Sequence, residues 1–388
     1  MTAWHRKAAD YYRDVPNGTF AFVSTNSICQ GQPVAAMFKP LFEEGWRISY
    51  AWPTFVWMSE ALDKAHVHVV IVGMDRQDGK ARLFGDDGMR EVDNINPYLA
   101  AAPTFYIDKR STPLSPDLKP ALYGEKPADG GYLQLKKRED FDAAMADPRA
   151  AKYVRRSLGA TELINAKERW CLWLVDATDE DIVTSPFLFE RVDACRAWRL
   201  KSKKKQTKDA AKTPHLFAEI RKLPDKYFCL PRHFSGEREF FTADFIEDGA
   251  VATDACFMME DEDGLAFAIL TSSAFMLWQN TLGGRLKSDC RFANTLVWNT
   301  FPVPPMTNER RTRVIEAGQA VVTARRSYEG LSLAKLYDPD LFQTYTELVK
   351  AHEELDEAVY QALGLSPNPS EGEVSTRLVE LYSTMTAQ

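Results

Sequence analysis

The chain has 388 residues, more than one ordinary hydrophobic core supports, so its length predicts two or three domains. Hydrophobic residues make up 45% of the sequence and aromatic residues 12%, which excludes a largely disordered protein. The net charge of −7 argues against a protein that binds nucleic acid over its whole surface, because attraction to phosphates needs concentrated positive charge. A local basic patch is still compatible with this total.

Cysteine usage and the first residues predict a cytoplasmic protein without a membrane partner. The six cysteines form no C-x-x-C pair and have no histidine at metal-ligand spacing, which is typical of a reduced compartment and predicts no metal site. The opening "MTAWHRKAADYYRD" is charged and amphipathic. No run approaches the roughly 20 apolar residues that a membrane span needs.

The first hundred residues have the pattern of an α/β sheet. A helix over 2–14 precedes a strand at 20–24, and "PVAAMFKPLFEEG" predicts a short helix that ends at Gly45. The segments "WRISYAW" and "HVHVVIVGM" predict two further strands. This order matches the closing half of a doubly wound, mostly parallel sheet, with the first strand in its middle. We expect a partner chain, a missing segment or self-association to cover the open edge.

The rest of the chain reads as a mixed region followed by helices. Residues 83–120 are loop-rich, and amphipathic helices are predicted around 138–158 and 185–204 with the strand "RWCLWLV" between them. From 226 to 304 we predict antiparallel strands, including one at "GLAFAIL" and one at "TLVWNTFPVP". The tail is helical: an apolar stripe from Leu341 to Leu363 is capped by Gly364, and Ser370 with Glu373 forms a capping box.

Common catalytic motifs do not occur in this sequence. It contains no G-x-G-x-x-G after a strand, P-loop, H-E-x-x-H or G-x-S-x-G. The "NPY" at 96–98 lacks one proline of the N-P-P-Y that amino-methyltransferases place beside a flipped base, and we interpret it as a turn. We therefore assign no catalytic residue.

Two charged stretches of the sequence belong to none of these catalytic motifs. In "GGRLKSDCRF" at 283–292, Arg285, Lys287, Asp289 and Arg291 occupy alternate positions between apolar segments, which predicts one polar row. The lysine-rich run at 201–205 is, taken alone, typical of a solvated surface loop.

A series of collinear segments resembles the C-terminal half of the MmeI-like, type IIL adenine-specific DNA methyltransferases. In chain order these are "FVSTNSICQGQPVAAMF", "FVWMSEALDKAHVHVVIVGM", "NINPYL", "ERWCLWL", "GRLKSDCRF" with "NTFPVP", and "LAKLYD" with "LVKAHEELDEAV". The resemblance implies an α/β plus α+β protein in three parts. Residues 1–105 would form a partial Rossmann-like methyltransferase sheet with its last three strands, 106–305 a mixed α/β target recognition domain, and 306–388 a helical domain.

The resemblance also implies roles for individual residues. Lys287 and Asp289 match the positions where family members with different base preferences differ, and a Lys donor with an Asp acceptor suits one G·C pair. A surface turn with a local ion pair is the alternative. Phe55 matches an aromatic residue, in the loop before the last strand, that stacks on the extruded adenine. Contacts to the DNA backbone are implied for Arg285, Arg291, Arg232, His233, Arg238, and, on a flexible arm, Lys201, Lys203, Lys204 and Lys205.

Two motifs of the family that this sequence does not contain limit the activity that we expect of it. In the family the S-adenosylmethionine motif and N-P-P-(Y/F) precede "FVSTNSI", and this sequence contains neither. We expect S-adenosylmethionine to serve the complete enzyme and not to bind this chain tightly. Double-stranded DNA and a separate N-terminal half are the expected partners. The alternatives are a stand-alone DNA-binding specificity protein and an inactive remnant.

Overall fold

The computed structural model describes residues 2–31, 33–58, 66–85, 88–221, 227–246, 249–286 and 289–387. Its first part contains two helices packed on a five-stranded sheet. The elements are α1 (Thr2–Tyr11), β1 (Phe20–Thr25), α2 (Pro33–Glu43), β2 (Arg47–Met58), β3 (His66–Asp75), β4 (Ala81–Gly85) and β5 (Gly88–Val92).

The strands of this first sheet follow the order β1-β3-β2-β4-β5. β3 is antiparallel to β1 and to β2, β2 and β4 are parallel, and β4 and β5 form an antiparallel hairpin. β1 thus lies at one end of the described sheet and not in its middle, and the predicted parallel pairing is wrong for most of these pairs. β4 and β5 were largely predicted as loop, because Arg82, Arg90 and Glu91 interrupt the apolar pattern of a strand.

Helices α1 and α2 cover one face of this sheet. α2 places Val34, Phe38 and Leu41 on one side at helical spacing, and Gly45 ends the segment at φ +85°, as the sequence predicted. The core between helices and strands includes Ala9, Val34, Met37, Phe38, Ile48, Ala51, Val70, Val72 and Leu83. The opposite face carries the other set of alternating strand residues.

The middle part combines short strands and helices. Its elements are β6 (Leu122–Tyr123), β7 (Gln134–Leu135), α3 (Arg138–Ala146), α4 (Pro148–Ala151), β8 (Val154–Leu158), α5 (Ala160–Asn165), β9 (Trp170–Leu172), α6 (Asp179–Thr184), α7 (Pro186–Leu200), α8 (Lys205–Asp209), β10 (Tyr227–Pro231), β11 (His233–Phe234), β12 (Asp244–Phe245), β13 (Val251–Ala252), β14 (Cys256–Glu260), α9 (Leu265–Leu270), α10 (Ser273–Leu282), β15 (Gly284–Leu286) and β16 (Asp289–Arg291). They form sheets of order β12-β10-β14-β6, β11-β16-β15 and β13-β8-β9-β7.

Two predicted strands in this part are helical. Leu265–Leu270 of "GLAFAIL" forms α9, all of whose residues are buried, and "TLVW", the start of "TLVWNTFPVP", lies in a π-helical turn over Asn294–Trp298. A fully apolar run gives no periodicity that separates a strand from a buried helix. The carboxylate of Asp261 fixes the helical choice locally, because it accepts hydrogen bonds from the backbone N–H groups of Gly264, Ala266 and Phe267.

The last part is helical, as predicted. It contains α11 (Asn308–Ser327), α12 (Leu333–Leu336), α13 (Thr346–Ala362) and α14 (Glu371–Thr386). The capping box of Ser370 and Glu373 and the positive φ of Gly364 are confirmed. The predicted stripe begins too early, because Leu341 is 43% exposed and a short turn over Phe342–Thr344 precedes α13. Buried side chains of this part and of β10, β14, α9 and α10 pack in one continuous core.

Candidate nucleic-acid interface

The stretch "GGRLKSDCRF" forms a β-hairpin that is extended by a third strand. β15 pairs antiparallel with β16, and β16 pairs with β11 on its other side. Cys290 and Phe234 are directly opposed and buried, whereas Asp289 and Arg291 alternate with Cys290 and are exposed. One face of the small sheet therefore joins the core, and the other presents Asp289, Arg291 and the half-buried His233 to solvent.

The register corrects the predicted row of four polar positions. Position 285 is paired with Cys290, and Asp289 is paired with Leu286, so position 285 lies on the opposite face from Asp289 and Arg291. Alternation along the sequence does not continue across the two-residue connection of a hairpin. Lys287, half of the predicted base-reading pair, lies outside the described residues.

The hairpin is attached firmly to the end of α10. The side-chain amide of Gln279 donates to the carbonyl oxygen of Arg291 at 3.2 Å, and the N–H of Phe292 donates to the carbonyl oxygen of Arg232 at 3.0 Å. A Cβ atom at Gly283 would lie 2.5 Å from the backbone carbonyl oxygen of Gln279, so this turn requires glycine. The exposed face is thus held on a rigid, buried base.

Arg232 lies beside this face and His233 lies on it, but neither is a free surface cation. The guanidinium of Arg232 stacks over the ring of Tyr123, with its Cζ atom 5.3 Å from the ring centroid. Burial, together with the charges of Arg232 and Arg291, lowers the pKa of His233 below its ordinary value of 6.5. His233 is therefore neutral at pH 7, and its ring suits a hydrogen bond better than an ion pair.

Arg238 is half-buried near two carboxylates. Its Nη1 atom donates to Oγ1 of Thr242 at 3.2 Å. Burial lowers the pKa of Arg238, and the charges of Asp338 and Asp289 oppose that shift. Arg238 thus interacts electrostatically both with Asp289 of the hairpin and with Asp338, in the segment that follows α12.

The lysine run forms helical turns and not an extended arm. Lys201 caps the end of α7, α8 begins at Lys205, and Lys201, Lys203, Lys204 and Lys205 are all exposed. Arg199, fully buried beneath them, donates to the carbonyl oxygens of Ala128, Pro127, Ala210, Thr213 and Leu216 at 2.8–3.1 Å. Their exposed charge is therefore presented from a fixed loop.

Phe55 lies within β2, paired with Val69, and not in a loop as predicted. A register shift between Trp52 and Phe55 keeps both rings on the sheet face opposite the helices. Its ring centroid is 6.0 Å from that of Trp52 and 6.5 Å from that of Trp57. The half-buried Phe55 is thus one of several aromatic residues on a common surface.

The predicted turn at "NPY" is confirmed. Oδ1 of Asn96 accepts hydrogen bonds from the N–H groups of Tyr98 and Ala100. Within the described parts of the chain, no group of three or more His, Cys, Asp or Glu residues is arranged to hold a metal ion. The same parts contain no helix long and apolar enough to cross a membrane. All six cysteines are buried free thiols.

Sequence reasoning missed two supporting residues. One is Tyr123, whose ring packs against the guanidinium of Arg232. The two residues are far apart in the sequence, and no sequence pattern indicates this contact. The other is Arg199, which the sequence could have indicated, because it continues the buried stripe of Leu188, Val192 and Cys195 along α7. A guanidinium at a core position of an amphipathic helix indicates a buried hydrogen-bonding role.

Comparisons with known proteins cover all three parts of the chain. Family models described as the MmeI DNA-methyltransferase domain, target recognition domain and C-terminal domain match residues 1–85, 101–305 and 306–388. DNA methyltransferase A of Bacillus subtilis (strain 168) is 33% identical over all 388 residues, which span 44% of that protein. A solved structure of the type IIL restriction-modification enzyme MmeI in complex with DNA is 34% identical, with a TM-score of 0.92, and this chain covers 52% of it. The chain thus spans about half the length of these relatives, and it belongs to the MmeI family.

Proposed function

We propose that this chain is the C-terminal, DNA-recognising part of an S-adenosylmethionine-dependent N6-adenine DNA methyltransferase of a restriction-modification system. The observation that carries the proposal is the exposed polar face of β11 and β16, held on a buried base inside the stretch that matches the target recognition model. Residues 1–105 are the rear of a Rossmann-like methyltransferase domain, 106–305 the recognition domain, and 306–388 a helical support. Such an enzyme acts in the cytoplasm.

The hairpin reads one G·C base pair in this proposal. Asp289 accepts a hydrogen bond from the cytosine amino group, and Lys287 donates to O6 and N7 of guanine. The exposed position of Asp289 at the start of β16 supports the first contact. Arg291 holds a phosphate beside this pair and sets its register on the duplex.

Backbone contacts extend over a wider surface. Lys201, Lys203, Lys204 and Lys205 supply exposed positive charge from the loop that Arg199 fixes. Arg232, His233 and Arg238 adjoin the hairpin, where His233 contributes a neutral hydrogen-bonding ring. These residues position the duplex and make its affinity sensitive to salt.

Methyl transfer requires residues that this chain does not supply. S-adenosylmethionine carries an electrophilic methyl group, but the sequence has no glycine-rich turn after a strand to hold it, so no step on the donor is assigned to this chain. Phe55 stacks on the extruded adenine and offsets part of the few kcal/mol that unstacking costs. The remaining half of the enzyme provides the donor site and the N-P-P-(Y/F) motif.

Co-expression tests the enzymatic part of the proposal. This chain is produced together with a chain that carries the donor motif and N-P-P-Y, and the DNA of the host is analysed for N6-methyladenine. Methylation at one sequence, absent when either chain is produced alone, is the expected result. A soluble, associated pair that leaves adenine unmodified contradicts the split-enzyme form.

A duplex-binding titration separates the proposal from an inactive remnant, and the co-expression test separates it from a stand-alone specificity protein. A stand-alone specificity protein binds one sequence selectively but gains no methylation activity with any partner. An inactive remnant binds only through general electrostatics, so its affinity falls by orders of magnitude between about 50 and 200 mM salt and no sequence is preferred.

A further inference from the structure

A cavity of about 490 Å³ lies between the recognition part and the C-terminal helices. Its apolar lining comes from both parts: Leu158 of β8 and Leu163 of α5, and Leu333 and Leu336 of α12, all of them buried. None of its lining residues belongs to the described part of the β15–β16 hairpin or to the lysine run. The cavity is therefore separate from the surface that we assign to DNA.

Arg325 of α11 lies in the wall of this cavity, although it is only 6% exposed. Its Nε atom donates to the hydroxyl of Tyr337 and its Nη1 atom to the carbonyl oxygen of Ala243, each at 2.6 Å. Both acceptors are neutral. The Nη2 atom is buried and has no hydrogen-bond partner among the residues that the structure describes. A buried donor of a charged group costs free energy without an acceptor, so the site favours a group that supplies one.

The guanidinium of Arg325 is held in a fixed position. Its Cζ atom lies 5.2 Å from the ring centroid of Phe267 and 4.9 Å from that of Tyr337. These two rings and the two hydrogen bonds determine its orientation before a ligand binds. A pre-organised cation loses little conformational entropy on binding, which favours affinity.

Other charged groups line the same cavity. The exposed Arg156 of β8 and Arg326 of α11, which also have other contacts, bring guanidinium groups from both parts. Three carboxylates line it as well: Glu162, Asp244 and Glu329. Glu162 is engaged by Arg169, with Nη2 to Oε2 at 3.0 Å, and Arg169 is not itself a lining residue. With Glu162 balanced in this way, positive charge predominates among the remaining lining residues.

The chemistry of the lining defines a class of ligand. A guanidinium donates most strongly to phosphate or carboxylate oxygens. Small-molecule sites typically enclose about 300–1,000 Å³, so a bare ion would fill only part of this cavity and leave its apolar lining uncovered. The residues therefore suit an oxyanion that is attached to a small organic body.

We propose that this cavity binds a small organic phosphate, whose phosphate oxygens accept from Arg325 and whose organic body contacts the leucines of both parts. A phosphate carries a charge of about −1.5 to −2 at pH 7, which suits guanidinium groups that converge from two elements. Because Nη2 is covered in this structure, binding requires a small side-chain movement at the cavity wall. The proposal goes beyond DNA recognition and does not depend on it.

Calorimetric titration of the whole chain tests the proposal. The probes are adenosine 5′-monophosphate and glycerol 3-phosphate, with inorganic phosphate as the matched bare ion. At least one organic phosphate is expected to bind about tenfold or more tightly than inorganic phosphate and to raise the Tm of the chain. A chain that binds neither organic phosphate, or that binds inorganic phosphate equally well, overturns the proposal.

Variants of two residues locate the binding. Arg325→Lys keeps the charge but removes the guanidinium, so affinity is expected to fall at least about tenfold. Ser332→Asp places a negative charge at the cavity wall and is expected to have the same effect, while Asp remains a favourable residue at the N-cap of α12. Ser332→Asp decides the outcome if Arg325→Lys misfolds by circular dichroism.

Two controls accompany Ser332→Asp. Ser332→Asn has nearly the same shape without the charge, and Thr307→Asp adds the same charge at the N-cap of α11, outside the lining of the cavity. Both are expected to bind the organic phosphate like the wild type. Equal affinities of the Ser332→Asp and Ser332→Asn chains overturn the proposal.

The DNA backbone carries the same phosphate group, so duplex binding is measured with the same samples. It is expected to be unaffected by Ser332→Asp, and a short duplex is expected not to displace the organic phosphate. Displacement by the duplex, or a loss of duplex binding in Ser332→Asp alone of the three variants at N-caps, assigns the cavity to DNA and overturns the proposal. Failure of every sample to bind duplex contradicts the proposed function and leaves the phosphate titration as an independent result.

Discussion

At the scale of single residues, specificity and affinity are expected to come from different side chains. Exchanging the charges, Lys287→Glu with Asp289→Arg, turns the donor and acceptor of the hairpin around. Because a well-placed base contact is worth about 1–3 kcal/mol, the preferred base should change from G to C with a tenfold to hundredfold shift in preference. Selection of binding sites from a randomised duplex measures this change.

The control for that exchange is Lys205→Glu, an exposed residue at the start of α8. A phosphate contact carries no sequence information, so this variant should weaken binding to all sequences alike and reduce the salt dependence. If the double exchange leaves the preferred base unaltered, the hairpin does not contact the bases.

Arg199 is expected to matter for stability far more than its neighbours. Arg199→Met leaves up to five buried carbonyl groups without donors, so the free energy of unfolding should fall by at least about 3 kcal/mol. Arg196→Met, four-fifths of a turn away on the exposed side of α7, should change it by less than about 0.5 kcal/mol. Equal effects of the two substitutions in chemical denaturation would show that the buried guanidinium does not hold the loop.

Glu125 gives a pH dependence of defined sign. Burial raises its pKa to about 7, and only its Oε2 atom has a partner within the described residues, the N–H of Arg221 at 2.8 Å. Because the unfolded chain loses this proton at lower pH, the side chain costs stability as pH rises from about 4.5 to 7. Glu125→Gln removes this pH-dependent loss. At the upper end of that pH range, its free energy of unfolding should exceed that of the wild type by roughly 1–3 kcal/mol.

Glu219 is expected to show the opposite dependence of stability on pH. Its hydrogen bond to Lys126 lowers its pKa, so the charged form stabilises the fold above its ordinary pKa and that stability is lost as pH falls. Glu219→Gln should therefore be less stable than wild type at pH 7 and converge with it in acid. Parallel pH profiles for the Glu125 and Glu219 variants would contradict both assignments.

At the scale of elements, the sequence predicted best where local chemistry decides the structure. The capping box at Ser370 and the glycine ends at Gly45 and Gly364 are set by neighbouring atoms. The α9 helix was missed because Leu265–Leu270 is apolar all round, and the hydrogen bonds by which the Asp261 carboxylate caps its first turn do not show in the apolar pattern. The position of β1 in the sheet and the pairing of position 285 with Cys290 depend on contacts between strands. The alternation of residues within one strand does not determine which strand, or which residue, lies beside it.

The confirmed cap makes a direct prediction for α14. Oγ of Ser370 accepts from the N–H of Glu373, and the Glu373 carboxylate accepts from the N–H of Ser370. Ser370→Ala should lower the free energy of unfolding by about 1 kcal/mol. Ser383→Ala, exposed in the last turns of the same helix, should change it by less than about 0.5 kcal/mol. Thermal denaturation that ranks the two substitutions in the reverse order would contradict this role of the cap.

At the scale of the whole molecule, the C-terminal helices support the recognition part through a buried polar chain. Arg325 of α11 donates to the carbonyl oxygen of Ala243 and to the hydroxyl of Tyr337, each at 2.6 Å. That hydroxyl is 2.7 Å from Nε2 of His352, whose ring stacks on Phe240 at 3.9 Å. The sequence suggested only an apolar stripe here, since these contacts join residues that are distant along the chain. They brace the segment that follows Arg238 and β11.

The central claim is that this chain alone selects a DNA sequence. Selection from a randomised duplex pool, repeated at about 50 and 200 mM salt, tests it most directly. We predict one enriched sequence at both salt concentrations, with a G·C pair at a fixed position that changes with Lys287→Glu and Asp289→Arg. Enrichment of no sequence, with binding that disappears at the higher salt concentration, would contradict the claim.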